Sequence, residues 1–243
     1  MRVLFLICVC SILVPSIAFS QSCIIYKKEK DGIYIGADTR MVSYVTNESN
    51  RRIEPTYLSI CKIDHVDSVH FAVTGFSANI ALDEARTILQ NTKKFTDAVA
   101  QYATTFGQRL ADMLETTRHE KAEFYKKNFP AGLILGGSIF FYYHDGVLNG
   151  RVVRITLASQ PSEKATVITN NDDLDSIGVA GNGMGTRNIL FNRDVWKKGA
   201  VTGIKNLIGI EKMASPSQVE GTPDILFVSN KNEAAWVQRQ KCQ

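Results

Sequence analysis

Histidine is scarce in this chain of 243 residues. The four present, His65, His70, His119 and His144, show no ligand spacing with one another or with the cysteines. That speaks against a metal centre, whose ligands recur at short, regular spacings, and reads them as surface or loop histidines. Long apolar runs are also missing: beyond the N-terminal stretch, no segment has the length a bilayer-spanning helix needs. No Lys/Arg run is interleaved with aromatics, and the net charge of +4 is mild, so nucleic acid is not an expected partner. Repeats, low-complexity tracts and internal linkers are absent, which argues for one domain. At 44% hydrophobic residues, the chain is large and apolar enough to bury a core.

The N-terminus reads as a secretory signal peptide. Met1-Arg2 supplies a positive start, Val3 to Val14 is apolar, Pro15 breaks the run, and the small residues Ser16, Ala18, Ser20 and Ser22 follow. Cleavage is expected after Ser20 or after Ser22, with residues 1–22 as signal and 23–243 as the mature domain. The residues before Cys23 lack the aliphatic position of a lipoprotein signal. The expected product is secreted or periplasmic and leaves the membrane once cut. Cys8 and Cys10 depart with the signal. Cys23, Cys61 and Cys242 remain, and an oxidising compartment favours one disulfide and one free thiol. Asn47-Glu48-Ser49 is a glycosylation sequon.

Periodicity then sets out the elements. Cys23 to Tyr26 and Ile33 to Ala37 are β-rich runs around a charged turn ending in Asp31-Gly32. Leu58 to Ile63 and Val69 to Thr74 read as a second strand pair. Apolar residues recur at helical spacing over Ala78–Gln90 and from Thr96 to about Glu120. Residues 131–143, 150–159 and 164–170 read as three strands, Gly183–Phe191 and Ala200–Ala214 as helices, and Asp224–Ser229 with Ala234–Gln238 as a closing hairpin. Two packed sheets with helices outside satisfy this order, an α+β class.

"KDGIYIGADTR", "KIDHVDSVHFAVTGFSANI", "AGLILGG", "SIGVAGNGMG" and "PDILFVSNKNEAAWV" resemble, in order, the motifs of proteasome β subunits and their bacterial relatives. The chain is similar to these N-terminal nucleophile hydrolases over nearly all of its mature length, as a divergent exported member. The resemblance implies a four-layer αββα sandwich, no cofactor, a peptide or amide substrate, and assembly with further copies of the chain. It also implies a mechanism: a hydroxyl or thiol at the first residue attacks a carbonyl, with its own α-amine and a Lys managing the proton. Asp38 then orients the Lys, Arg40 fixes the strand end and its neighbouring loop, and the Gly75 N–H serves the oxyanion. Asn182 stands where the family carries a serine between two glycines.

The nucleophile falls on Ser22 by ungapped counting from Asp38, or on Cys23 with a turn one residue shorter. The family Lys falls on Ser59 or Cys61. Lys62 is next door, but adjacent strand residues face opposite ways, which puts it off the site. Two functions follow from the resemblance. One is an amide hydrolase with Cys23 or Ser22 as nucleophile. The other is an inactive binding or structural module, with a Cys23–Cys61 disulfide in the old pocket.

Overall fold

The computed structural model describes residues 22–47, 52–181, 183–217 and 219–240. The signal segment, the cleavage position after Ser20, most of the sequon, Asn182 and Cys242 lie outside these residues.

Seventeen elements follow one another as β1 (Cys23–Lys28), β2 (Gly32–Ala37), β3 (Arg40–Asn47), β4 (Arg52–Ser59), β5 (Ile63–Val66), β6 (Val69–Gly75), α1 (Ala78–Asn91), α2 (Phe95–Glu120), α3 (Ala122–Asn128), β7 (Ile134–His144), β8 (Val147–Leu157), β9 (Val167–Asp173), β10 (Ile177–Gly181), α4 (Arg193–Trp196), α5 (Ala200–Ala214), β11 (Asp224–Ser229) and β12 (Ala234–Gln238). They form three sheets, in the orders β10-β1-β2-β11-β12, β3-β4 and β5-β6-β7-β8-β9. Every described pairing is antiparallel. The chain is an α+β protein.

Alternation along the strands sorts the core into three parts. In β1, Ile24 and Tyr26 point one way and Cys23 and Ile25 the other. Ile24, Ile33, Ile35 and Leu226 meet Ala72, Ile139 and Phe141 of the β5–β9 sheet. Cys23, Ile25 and Ile225 pack instead on Ile204, Leu207 and Ile208 of α5. On the far face of the β5–β9 sheet, Phe71, Val73, Phe140 and Val153 take up the apolar stripes of α1 and α2, including Leu82, Ala85, Val99, Tyr102 and Phe106. Strands covered on both faces read as near-continuous apolar runs, which is why β1, β2, β7 and β11 stand out in the sequence. Each fully buried Ile or Phe contributes roughly 1.5–3 kcal/mol.

The structure corrects the expected elements in two places. Leu58 to Ile63 is not one strand: β4 ends at Ser59, β5 begins at Ile63, and the link between them crosses from the β3–β4 hairpin to the large sheet. Its backbone is held by Ile60 N donating to Thr39 O (2.9 Å) and Val73 N to Lys62 O (3.0 Å). Gly183 to Phe191 is a succession of turns rather than a helix. Bonds from Thr186 N and Arg187 N to Gly183 O alternate with bonds from Ile189 N and Leu190 N to Thr186 O. Gly183 and Gly185 weaken helix formation. The Glu211 carboxylate accepts Gly185 N (2.9 Å), and Trp196 Nε1 donates to Leu190 O (2.7 Å).

Candidate functional site

Strand β2 ends at Ala37, and the next residue, Asp38, is completely buried. A buried carboxylate needs partners, and Asp38 has three. Its Oδ1 accepts Cys23 N (2.7 Å); its Oδ2 accepts Arg40 N (3.2 Å) and Lys62 Nζ (2.9 Å). In return Asp38 N donates to Cys23 O (3.2 Å), which locks the start of β1 to the end of β2.

Lys62 is the residue that sequence reasoning missed. It is fully buried, and its ammonium donates to Asp38 and to Arg40 O (2.5 Å). Strict alternation would have turned it away from the site. The link between β4 and β5 is not a strand, however, so the alternation does not hold there. Ser59 is exposed on β4, opposite Arg40. Cys61 is half-buried and disulfide-bonded. Neither takes the Lys position. Burial pushes Asp38 up and Lys62 down from their ordinary values, and each partly offsets the other through the ion pair.

Ser22 is 1% exposed, and its Oγ donates to Arg40 O (3.3 Å). One carbonyl oxygen therefore takes both the Ser22 hydroxyl and the Lys62 ammonium. The Cys23 side chain goes the opposite way, into the apolar cluster under α5. Its thiol is free, so it is not bonded to Cys61. Burial, then the charges of Asp38 and Glu211, push it well above its ordinary value. A thiol so placed is a core residue and not a nucleophile. The expected Cys23 nucleophile and the expected Cys23–Cys61 bridge are both corrected, because side chains 22 and 23 alternate and only Ser22 faces the buried pair.

The Arg40 guanidinium donates to Pro216 O (2.8 Å), pairs with Glu220 and lies 4.6 Å from the Tyr57 ring centre. It ties the 216–220 loop to the mouth of the site. Gly75 closes β6 with φ of 113°, a conformation that side-chain-bearing residues avoid. It reaches the site through its neighbour Thr74. A Cβ on Gly181 would lie 2.7 Å from Thr74 Oγ1 and Cγ2 and would collide with the Ser22 carbonyl oxygen. Ser22, Thr74 and Gly181 thus meet at one point.

Three of the four histidines, His65, His119 and His144, are exposed as expected, and His70 is the exception. His65 and His70 face each other across the β5–β6 hairpin, with ring centres 5.9 Å apart, and His70 is buried. Among the described residues, no group of three His, Cys, Asp or Glu side chains is placed to hold a metal ion. Among the same residues, no helix is long and apolar enough to cross a membrane.

No protein-family model and no curated protein matches this chain.

Proposed function

We propose that the chain is an exported amide- or peptide-bond hydrolase of the N-terminal nucleophile type, with the four-layer αββα arrangement of that superfamily. The observation that carries this reading is the buried Lys62–Asp38 pair, whose ammonium shares the Arg40 carbonyl with the Ser22 hydroxyl. A buried ion pair is a weak source of stability; set against a serine at the head of the first strand, it is a means of moving a proton.

In this reading Ser22 Oγ attacks the substrate carbonyl carbon, and the Ser22 α-amine takes the hydroxyl proton. The positive charge of Lys62, held in place by Asp38, favours the developing alkoxide. The Gly75 N–H stabilises the oxyanion, a contribution of about 10²–10³ in rate for such donors. The C–N bond breaks, the proton passes to the leaving amine, and water hydrolyses the Ser22 ester with the α-amine as base. Arg40 and its loop border the substrate. The chemistry needs a free α-amine on Ser22, hence a chain cut after Gln21. Signal removal after Ser20 leaves one residue more to lose.

The test is N-terminal sequencing and intact mass of the exported protein, followed by treatment with a small β-lactone. The lactone carbonyl joins Ser22 Oγ as its ring C–O bond opens, so the whole reagent mass is added. A chain beginning at Ser22 and acylated there is the expected result. A chain beginning elsewhere, with no adduct on Ser22, returns the fold to the inactive binding-module reading.

A further inference from the structure

We infer that the Thr74 hydroxyl is the positioning group for the Ser22 α-amine: it accepts one N–H of the free amine and leaves the amine lone pair directed at Ser22 Oγ. The inference rests on the hydrolase reading above and gives a role to a residue that reading does not use.

Thr74 is 1% exposed, and its Oγ1 has no hydrogen-bond partner among the described residues. A buried hydroxyl without a partner is costly. Valine would fill the same space without that cost, so the hydroxyl serves something other than packing. Alternation along β6 sets its direction. Phe71 and Val73 pack under α1 and α2, whereas Ala72 faces the other sheet; Thr74 follows Ala72 to that face. There it meets Gly181 of β10. A Cβ added to Gly181 would lie 2.7 Å from Thr74 Oγ1 and would collide with Ser22 O. Glycine at 137 on β7 permits the approach, since a Cβ there would lie 2.8 Å from Gly181 N.

The backbone of β1 turns the Ser22 nitrogen the same way. Cys23 N and Cys23 O both face Asp38, the first donating to Oδ1 (2.7 Å) and the second accepting Asp38 N (3.2 Å). In extended chain the N–H and C=O of one residue share a side, and those of the next residue take the other. Ser22 N and O therefore point away from Asp38, toward Gly181 and Thr74, and the close approach of Ser22 O to Gly181 fits that direction. The Ser22 hydroxyl is held separately, by Arg40 O. In the uncut chain the Ser22 nitrogen is an amide with no basic lone pair. Cut after Gln21, it is an amine that turns about its N–Cα bond, and one N–H fixed on Thr74 Oγ1 restricts the turning. Orientation of this kind is a large part of what a positioned base supplies. The charges near Ser22 are Asp38 and Lys62, with Glu211 acting on Cys23 and Asp224 on Lys62. On the amine's side β6, β7 and β10 present Thr74, Gly137 and Gly181, none of them charged.

The experiment separates this inference from the reading it rests on. The protein is made with Ser22 as its first residue, by cutting an N-terminal fusion, as wild type, Thr74→Val and Thr74→Ser. The α-amine is titrated through the pH dependence of its acetylation by trace acetic anhydride, read by mass on the N-terminal peptide. A hydroxyl that accepts from the amine favours its protonated form, so Thr74→Val should lower the midpoint by about one pH unit and Thr74→Ser should restore it. Acylation of Ser22 by a small β-lactone should be about 10–100-fold slower in Thr74→Val, with the acid limb of its pH profile moved by the same amount, and close to wild type in Thr74→Ser. With the fusion still attached, the melting temperature of Thr74→Val should lie no more than about 2 °C below that of wild type. A larger fall, which would mean a structural partner for the hydroxyl, overturns the inference. So does an amine midpoint shared by wild type and Thr74→Val, whether or not acylation is seen. A midpoint that moves with Thr74 in a protein the β-lactone never acylates leaves the contact standing and defeats the hydrolase reading.

Discussion

Replacing Asp38 by alanine is the sharpest perturbation of the buried pair. The change removes the acceptor of three donors, Cys23 N, Arg40 N and Lys62 Nζ. It leaves the Lys62 ammonium fully buried with Arg40 O as its remaining partner from the pair's network. Breaking a buried pair from one side costs about 3–5 kcal/mol. At about 2–4 °C per kcal/mol for a domain of this size, the melting temperature should fall by roughly 6–20 °C. Lys62→Met is milder, because Asp38 keeps two backbone donors and its carboxyl, already pushed up by burial, can take a proton; a loss of about 1.5–3 kcal/mol is expected. The double variant should then be more stable than Asp38→Ala alone, since the second change removes the stranded charge. Urea unfolding of the four proteins measures the coupling directly. Two single variants that each cost under about 1 kcal/mol and add in the double would refute the reasoning, because they would show that the ammonium and carboxylate do not depend on one another.

His70 gives a pH test. Burial, and secondarily the neighbouring His65, lower its pKa from the ordinary 6.5 to about 4. Between those values the unfolded chain binds the proton that the folded one refuses, so stability should fall as pH drops from 6.5 to 4. The loss should reach about 3 kcal/mol at ~1.4 kcal/mol per tenfold change in proton affinity; a His70→Leu protein whose stability falls just as steeply over that window would contradict this. Cys23 should stay unmodified by iodoacetamide in the native protein and react once urea unfolds it, as read by peptide mass. Placing an amine at Ser59 in a Lys62→Met background should rescue neither melting temperature nor Ser22 acylation, because position 59 is exposed on β4; recovery of either would show that the site tolerates its lysine from the hairpin.

Much of this architecture is legible because β1, β2 and β11 are buried on both faces and α1, α2 and α5 on one, which leaves plain runs and plain periods in the sequence. Asp38 is legible for a related reason: an acid at the end of an apolar strand has few reasons to be there other than a buried partner. The β3–β4 hairpin is harder to see, since Pro55 sits inside β4 and proline is tolerated only at such sheet edges. The partner of Asp38 was hidden by a rule applied past its range. Alternation holds while backbone dihedrals stay extended. Residues 60–62 carry the chain between two sheets, where the direction of a side chain is set by the crossing rather than by its neighbours. Ser22 and Cys23 show the opposite case. There the strand is regular from Cys23 onward, the register Cys23↔Gly181 is fixed by the ladder, and adjacent residues must part. The same alternation that misplaces Lys62 therefore assigns Ser22 to the buried pair and Cys23 to the core beneath α5. Locating the breaks in regular structure matters more for reading such a site than recognising the residues that chemistry favours.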